Sequence, residues 1–124
     1  MEFIEAPAFS RHLPEYLDDD GYRALQTELA RNPELGDVMP GTGGLRKVRW
    51  ADRRRGKGRR GGLRIIYFYF KFEQRIWLVT LYGKDEAADL SAKEKKTLRT
   101  ALELELQARA ETRAAQRGTR RRIR

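Results

Sequence analysis

LRIIYFYFKFEQRIWLVTLYG, residues 63–83, is the stretch that decides the fold. β-Branched and aromatic residues crowd LRIIYFYFKF and RIWLVTLYG, and Glu73-Gln74 interrupts them, which predicts a long central hairpin. Side chains alternate across a strand, so Arg64, Ile66 and Phe68 share one face while Leu63, Ile65, Tyr67 and Tyr69 share the other. Upstream, Leu45 to Trp50 alternates too, with Val48 and Trp50 on one side and Lys47 and Arg49 on the other. A basic, glycine-rich connection, ADRRRGKGRRGG, joins that strand to the hairpin. GDVMPGTGG, at Gly36 to Gly44, is a loop of turn residues.

Helices flank this sheet. Ser91 and Glu94 form an S-x-x-E capping box ahead of Leu98, Leu102 and Leu106, which repeat every four residues. That helix is expected to fray near Gly118, leaving RGTRRRIR disordered. Asp18, Asp19 and Asp20 suit a helix N-terminus, Tyr22, Leu25 and Leu29 make its apolar face, and Asn32-Pro33 ends it. Phe9, Leu13 and Tyr16 recur at helical spacing, with Pro14 expected to kink or interrupt them. Glu2 to Ala6 reads as a short edge strand stopped by Pro7. The expected fold is α+β: a small, mainly antiparallel sheet with two N-terminal helices and a C-terminal helix. Residues 1–108 form one domain, and residues 109–124 form a basic, disordered tail.

Composition narrows the function classes. A chain of 124 residues holds one modest core. The longest apolar run, Ile65 to Phe70, is far short of the roughly 18 residues that span a bilayer. MEFIEAP has no signal-peptide pattern, so a cytoplasmic protein is expected. Without cysteine there is no disulfide or thiolate metal site, and the single His12 argues against a histidine cluster or a serine–histidine triad. The expectation is no metal and no cofactor. GKGRRGG lacks the Ser or Thr of a phosphate-binding P-loop and precedes a strand, so that motif is rejected.

Charge is unevenly placed. The net value is +9, yet residues 1–45 carry −6, residues 46–64 carry +9, residues 65–108 are neutral and residues 109–124 carry +6. A concentrated positive field selects a polyanion, with affinity that falls steeply as salt rises. Lys47, Arg49, Arg64 and Lys84 lie on or at the ends of strands, where cations on an open sheet face can position an RNA backbone. Aromatic rings such as Tyr67 can stack unpaired bases. The alternative for Tyr67, Tyr69 and Trp77 is cross-strand or core packing.

The runs NPELGDVMPGTGGLRKVRW, GKGRRGGLRIIYF and LVTLYGKDEAADLSAKEKKTL, in this order, resemble the HigB-like branch of the RelE/HigB superfamily of bacterial toxins. The resemblance extends from about Phe3 to Leu106. It implies a RelE-like fold and a ribosome-dependent endoribonuclease that cleaves mRNA in the A site through the ribose 2′-hydroxyl. It also implies a cognate helix-turn-helix antitoxin resembling HigA. Carried over, Arg64 grips the scissile phosphate, Lys47 or Arg49 serves as base, Lys84 supplies acid or charge stabilisation, and Tyr82 orients the codon base. Arg46, Arg49, Lys57, Arg59, Arg60 and Tyr67 are the implied RNA contacts, with the Arg53–Arg60 loop meeting ribosomal RNA. The chain departs from the family pattern at Asp85 and around Ser91, leaving the general acid to Lys84 or Lys57. Two other readings are a non-catalytic RNA- or DNA-binding module and a ParE-like gyrase inhibitor. Cations at the cleavage-face positions disfavour the latter.

Overall fold

The computed structural model describes residues 1–52, 62–83 and 90–123, with side-chain detail in the last segment as far as Arg117. The fold is α+β, a mixed five-stranded sheet with three helices. In chain order these are β1 (Glu2–Glu5), α1 (Pro7–Tyr16), α2 (Asp19–Arg31), β2 (Asp37–Val38), β3 (Arg46–Trp50), β4 (Leu63–Phe70), β5 (Arg75–Gly83) and α3 (Ala92–Ile123). The sheet order is β1-β5-β4-β3-β2.

The hairpin is the centre of the sheet. β4 and β5 pair antiparallel from Leu63↔Gly83 to Phe70↔Arg75. A 3-10 turn at Lys71–Glu73 joins them, closed by Gln74 in the left-handed region at φ 53°. β3 pairs antiparallel with β4, and the two-residue β2 pairs antiparallel with β3. β1 instead runs parallel to β5, extended by Ala6 N–H donating to Leu78 O at 2.9 Å.

Helix ends follow the local chemistry. Pro7 sits in the first turn of α1, where a missing N–H costs nothing. Pro14, expected to kink or interrupt α1, does not interrupt it. It lies within the last turn, where it removes one main-chain bond and the Leu17 N–H still reaches Leu13 O at 3.0 Å. Asp18 caps α2 by accepting from Gly21 N–H at 2.7 Å, and Asn32 closes the other end. The Glu5 carboxylate ties β1 to both helices, accepting from Ser10 Oγ at 2.7 Å and Tyr22 Oη at 2.9 Å. Burial and this hydrogen bond to a carboxylate both push the Tyr22 pKa upward.

Two apolar layers sandwich the sheet. Phe9, Tyr16, Leu25 and Leu29 from α1 and α2 pack on Val48, Trp50, Leu63, Ile65, Tyr67, Ile76, Leu78 and Leu81. On the opposite face Leu102, with Leu98 and Leu90, packs on Met39, Leu45, Ile66, Val79, Phe68, Trp77 and Tyr82. Leu78 and Leu81 have opposite strand parity yet share the first layer. The register explains this: Tyr67 pairs with Leu78 and Ile66 with Thr80, so Val79 is an extra residue, a β-bulge that resets the alternation.

α3 corrects the expected domain limit at residue 108. Arg109 is only 13% exposed; its guanidinium pairs with Glu73 in the hairpin turn and with Glu105, and it lies 3.8 Å from the centre of the Phe70 ring. Arg113 pairs with Glu73 at 3.2 Å. These contacts anchor the start of the segment expected to be a loose tail, and the helical backbone continues through Gly118 to Ile123. Extending a formed helix costs far less than nucleating one. Among the described residues no helix is long and apolar enough to cross a membrane.

Candidate nucleic-acid interface

Cross-strand register places the cations. In antiparallel strands, directly opposed residues share a face with Cβ atoms about 5 Å apart. Arg49 faces Arg64, and Arg64 faces Tyr82, so Arg49, Arg64 and Tyr82 form one row across β3, β4 and β5. The next row on that face is Lys47, Ile66 and Thr80. Val48 and Trp50, between the cations, point the other way into the layer beneath α1 and α2. The strand alternation therefore separates apolar anchors from cations, as the sequence predicts.

Exposure grades across the site. Arg49 is exposed, and Lys47 and Tyr82 are half-buried. Arg64 is only 4% exposed, and its Nη1 donates to its neighbour's carbonyl, Leu63 O, at 3.3 Å. Asp52, just beyond β3, is 1% exposed. These are the two buried charged side chains among the described residues, and both make further polar or electrostatic contacts. Charges enter a protein interior only with compensating partners, so this end of the sheet is an electrostatic centre rather than a solvated surface. Nothing in the local sequence pattern around Asp52 signals its burial.

The sheet face bearing the cations is not open along its length, which corrects the sequence expectation. Leu98 and Leu102 of α3 cover its middle, and Phe68, Trp77 and Tyr82 pack into that layer. The turn PGTGG supports the same layer. Thr42 Oγ1 donates to Met39 O at 2.6 Å and accepts from Leu45 N–H at 3.2 Å. Gly44, at φ 119°, lies where an added Cβ would come within 3.2 Å of the Phe68 ring.

Two expected RNA contacts serve the fold instead. Tyr67 is 0% exposed; its hydroxyl accepts from Gly36 N–H at 2.8 Å and donates to Pro33 O at 2.8 Å. No face of the ring is available to stack a base. Burial raises its pKa, and the Gly36 hydrogen bond and the Arg46 charge only partly oppose this. Arg46, opposite Tyr67, donates to Gly36 O at 2.8 Å and Glu34 O at 3.4 Å. Arg46 and Tyr67 together lock the α2–β2 loop onto the sheet. Tyr69 and Trp77 are packing residues of the two layers.

Lys57, Arg59, Arg60 and the rest of the Arg53–Arg60 loop, together with Lys84 and Asp85, lie outside the described residues. His12 is a surface residue 3.6 Å from the Glu15 carboxylate on α1. Among the described residues no group of three or more His, Asp or Glu could hold a metal ion. What the interface can do follows from its chemistry: three cations and one phenol on two adjacent rows, able to bind a phosphodiester and stabilise added negative charge on it. No protein-family model matches the chain.

Proposed function

We propose that this protein is a RelE-like toxin, a ribosome-dependent endoribonuclease acting on mRNA in the A site. The observation that carries the reading is the row Arg49–Arg64–Tyr82 with Lys47 beside it, brought onto one sheet face by register alone. The order of sequence elements that resembles the HigB-like branch supports it, as does the α+β topology with its C-terminal helix.

In this reading the exposed Arg49 and half-buried Lys47 meet the mRNA backbone first. Lys47, acting as a free amine, takes the proton of the ribose 2′-hydroxyl and becomes an ammonium; the new bond forms between that oxygen and phosphorus while the bond to the 5′-oxygen breaks. The products are a 2′,3′-cyclic phosphate and a 5′-hydroxyl, the latter taking its proton from Lys84 or Lys57. Arg64 stabilises the extra charge on the pentacoordinate phosphorus. A guanidinium held away from water acts in a low dielectric, where its field is strongest. Tyr82, next to Arg64, orients the base. The partner that neutralises the protein is a helix-turn-helix antitoxin resembling HigA, encoded in an adjacent reading frame.

Primer extension on mRNA with purified ribosomes tests this. Cuts within the A-site codon are expected, reduced about 10²–10³-fold in Arg64→Ala and Lys84→Ala, the scale of losing one transition-state charge donor. Because Arg64 is buried, Arg49→Gln on the exposed end of the row is the companion variant, with folding checked by circular dichroism. Intact ribosome-bound mRNA, or equal cutting without ribosomes, overturns the proposal. One observation favours a second reading, a non-catalytic RNA-binding module: Arg64 is 4% exposed and so is engaged in holding the fold. Ribosome binding with no cleavage selects that reading.

A further inference from the structure

Residues 109–123, with a net charge of +5, lie on a helix rather than a loose tail. At 32 residues and about 1.5 Å per residue, α3 is about 48 Å long. Its contacts with the hairpin turn are made by Arg109 and Arg113, so the residues that follow carry the helix beyond them. Arg109, Arg113 and Arg117 recur every four residues and fall within about 80° of one another around the helix axis.

Where α3 leaves the sheet, a cleft opens, lined by Glu73, Arg75, Arg109, Thr112, Arg113 and Gln116. Its lining has three guanidinium groups and one carboxylate, and two further carboxylates pair with these arginines, Glu2 with Arg75 at 3.4 Å and Glu105 with Arg109 at 3.1 Å. Arg109 is held by Glu73, Glu105 and the Phe70 ring and so builds the wall. Arg113 and Arg75 are accessible, at 57% and 41% side-chain exposure. Arg117, one turn further on, is exposed.

We infer that this cleft and the helix beyond it form a second nucleic-acid contact, which grips the phosphate backbone of double-helical RNA through Arg75, Arg113 and Arg117. The arginine excess along α3, more than the ion-paired cleft lining, selects a polyanion. The lining contains no aromatic residue, and the exposed Phe72 in the adjoining turn is one ring rather than the row of stacking platforms a single-strand site uses, so a backbone-gripping contact to a duplex fits better. Thr112 and Gln116 add neutral polar groups suited to phosphate or ribose oxygens. Arg64 and Phe70 are six residues apart on β4, about 20 Å, so this contact is separate from the candidate cleavage row. Choosing RNA over DNA rests on the nuclease reading; the polyanion assignment does not.

The test is fluorescence anisotropy of a labelled RNA hairpin duplex with the full chain, across a salt series and without ribosomes. The double variant R113Q/R117Q is expected to bind more weakly and to flatten the log–log salt dependence by roughly one unit for each phosphate it no longer neutralises. A114P keeps every charge but breaks the helix, and is expected to weaken binding several-fold. Circular dichroism and thermal melting check that both variants keep the folded sheet domain. Unchanged affinity and slope in R113Q/R117Q overturn the contact, and A114P binding as tightly as the parent overturns the helical arm. A loss confined to a DNA duplex of equal length overturns the assignment to RNA. No cleavage is read in this assay, so failure of the nuclease reading is seen separately.

Discussion

The Tyr67 hydroxyl joins three segments that are distant in sequence. It accepts from Gly36, donates to Pro33, and sits on a strand opposite Arg46, whose guanidinium reaches Gly36 O. Gly36 is required by this closeness, because an added Cβ would lie 2.9 Å from the Tyr67 ring and 3.0 Å from the Lys47 main chain. Tyr67→Phe is expected to lower stability by about 1–3 kcal/mol, since it strands the buried Gly36 N–H. Urea denaturation measures this, and RNA affinity should stay unchanged. Gly36→Ala should cost a similar amount, about 1–3 kcal/mol, by overpacking. A Tyr67→Phe chain that stays fully stable but loses RNA binding would mean that the hydroxyl contacts RNA instead of holding Gly36 and Pro33.

At the scale of the element, α3 begins with reciprocal bonds: Ser91 N–H donates to Glu94 Oε1 at 3.1 Å, and Glu94 N–H donates to Ser91 Oγ at 3.1 Å. The main-chain bond from Ser91, then that from its side chain, lowers the Glu94 pKa below the usual carboxylate range. A depressed folded-state pKa means a contribution that is fully present above the unfolded value, about 4.3, and is lost as pH falls through the folded value. Glu94→Gln should therefore lower the thermal midpoint at neutral pH and converge with the parent in strong acid. Ser91→Ala should cost about 0.5–2 kcal/mol, the usual cap penalty. An equal Glu94→Gln deficit at both pH values would show that the carboxylate charge is irrelevant.

For the whole molecule, the sheet is a shared wall between two apolar layers, and α3 supplies the second. Leu102 is 1% exposed within that layer and is the one α3 residue of it, among the described residues, that is fully buried. Leu102→Ala is expected to destabilise by about 2–5 kcal/mol, the range for truncating a buried leucine. The variant should also uncover the sheet face next to the cation rows. Chemical denaturation gives the first quantity and binding of a hydrophobic dye the second. Normal stability in Leu102→Ala would mean that α3 is not needed to close the core. Ionic strength tests the molecule as a unit as well: if both proposed contacts form, the Arg49–Arg64 row and α3 are expected to add their phosphate terms in the salt slope.

Period-2 patterning alone determined the hairpin at residues 63–83, the opposed faces of β3 and β4, and the separation of Lys47 and Arg49 from Val48 and Trp50. Capping chemistry likewise marked the starts of α2 and α3 through Asp18 and Ser91. These are local signals, set within a few residues by backbone geometry and solvent. Tertiary structure decided what depends on contacts across the chain. The Val79 bulge flips strand parity, and no residue-level pattern announces it. Burial of Tyr67 and Asp52, and the engagement of Arg46 with loop carbonyls, follow from which loops and helices land on them. The segment from Gly41 to Arg64 reads from sequence as one basic surface. Folding divides it: Lys47 and Arg49 remain accessible, Arg46 turns to main-chain carbonyls, and Arg64 is buried near the start of β4. Charge is a property of composition, but whether a charge meets solvent or the interior depends on strand register and on the elements packed above it.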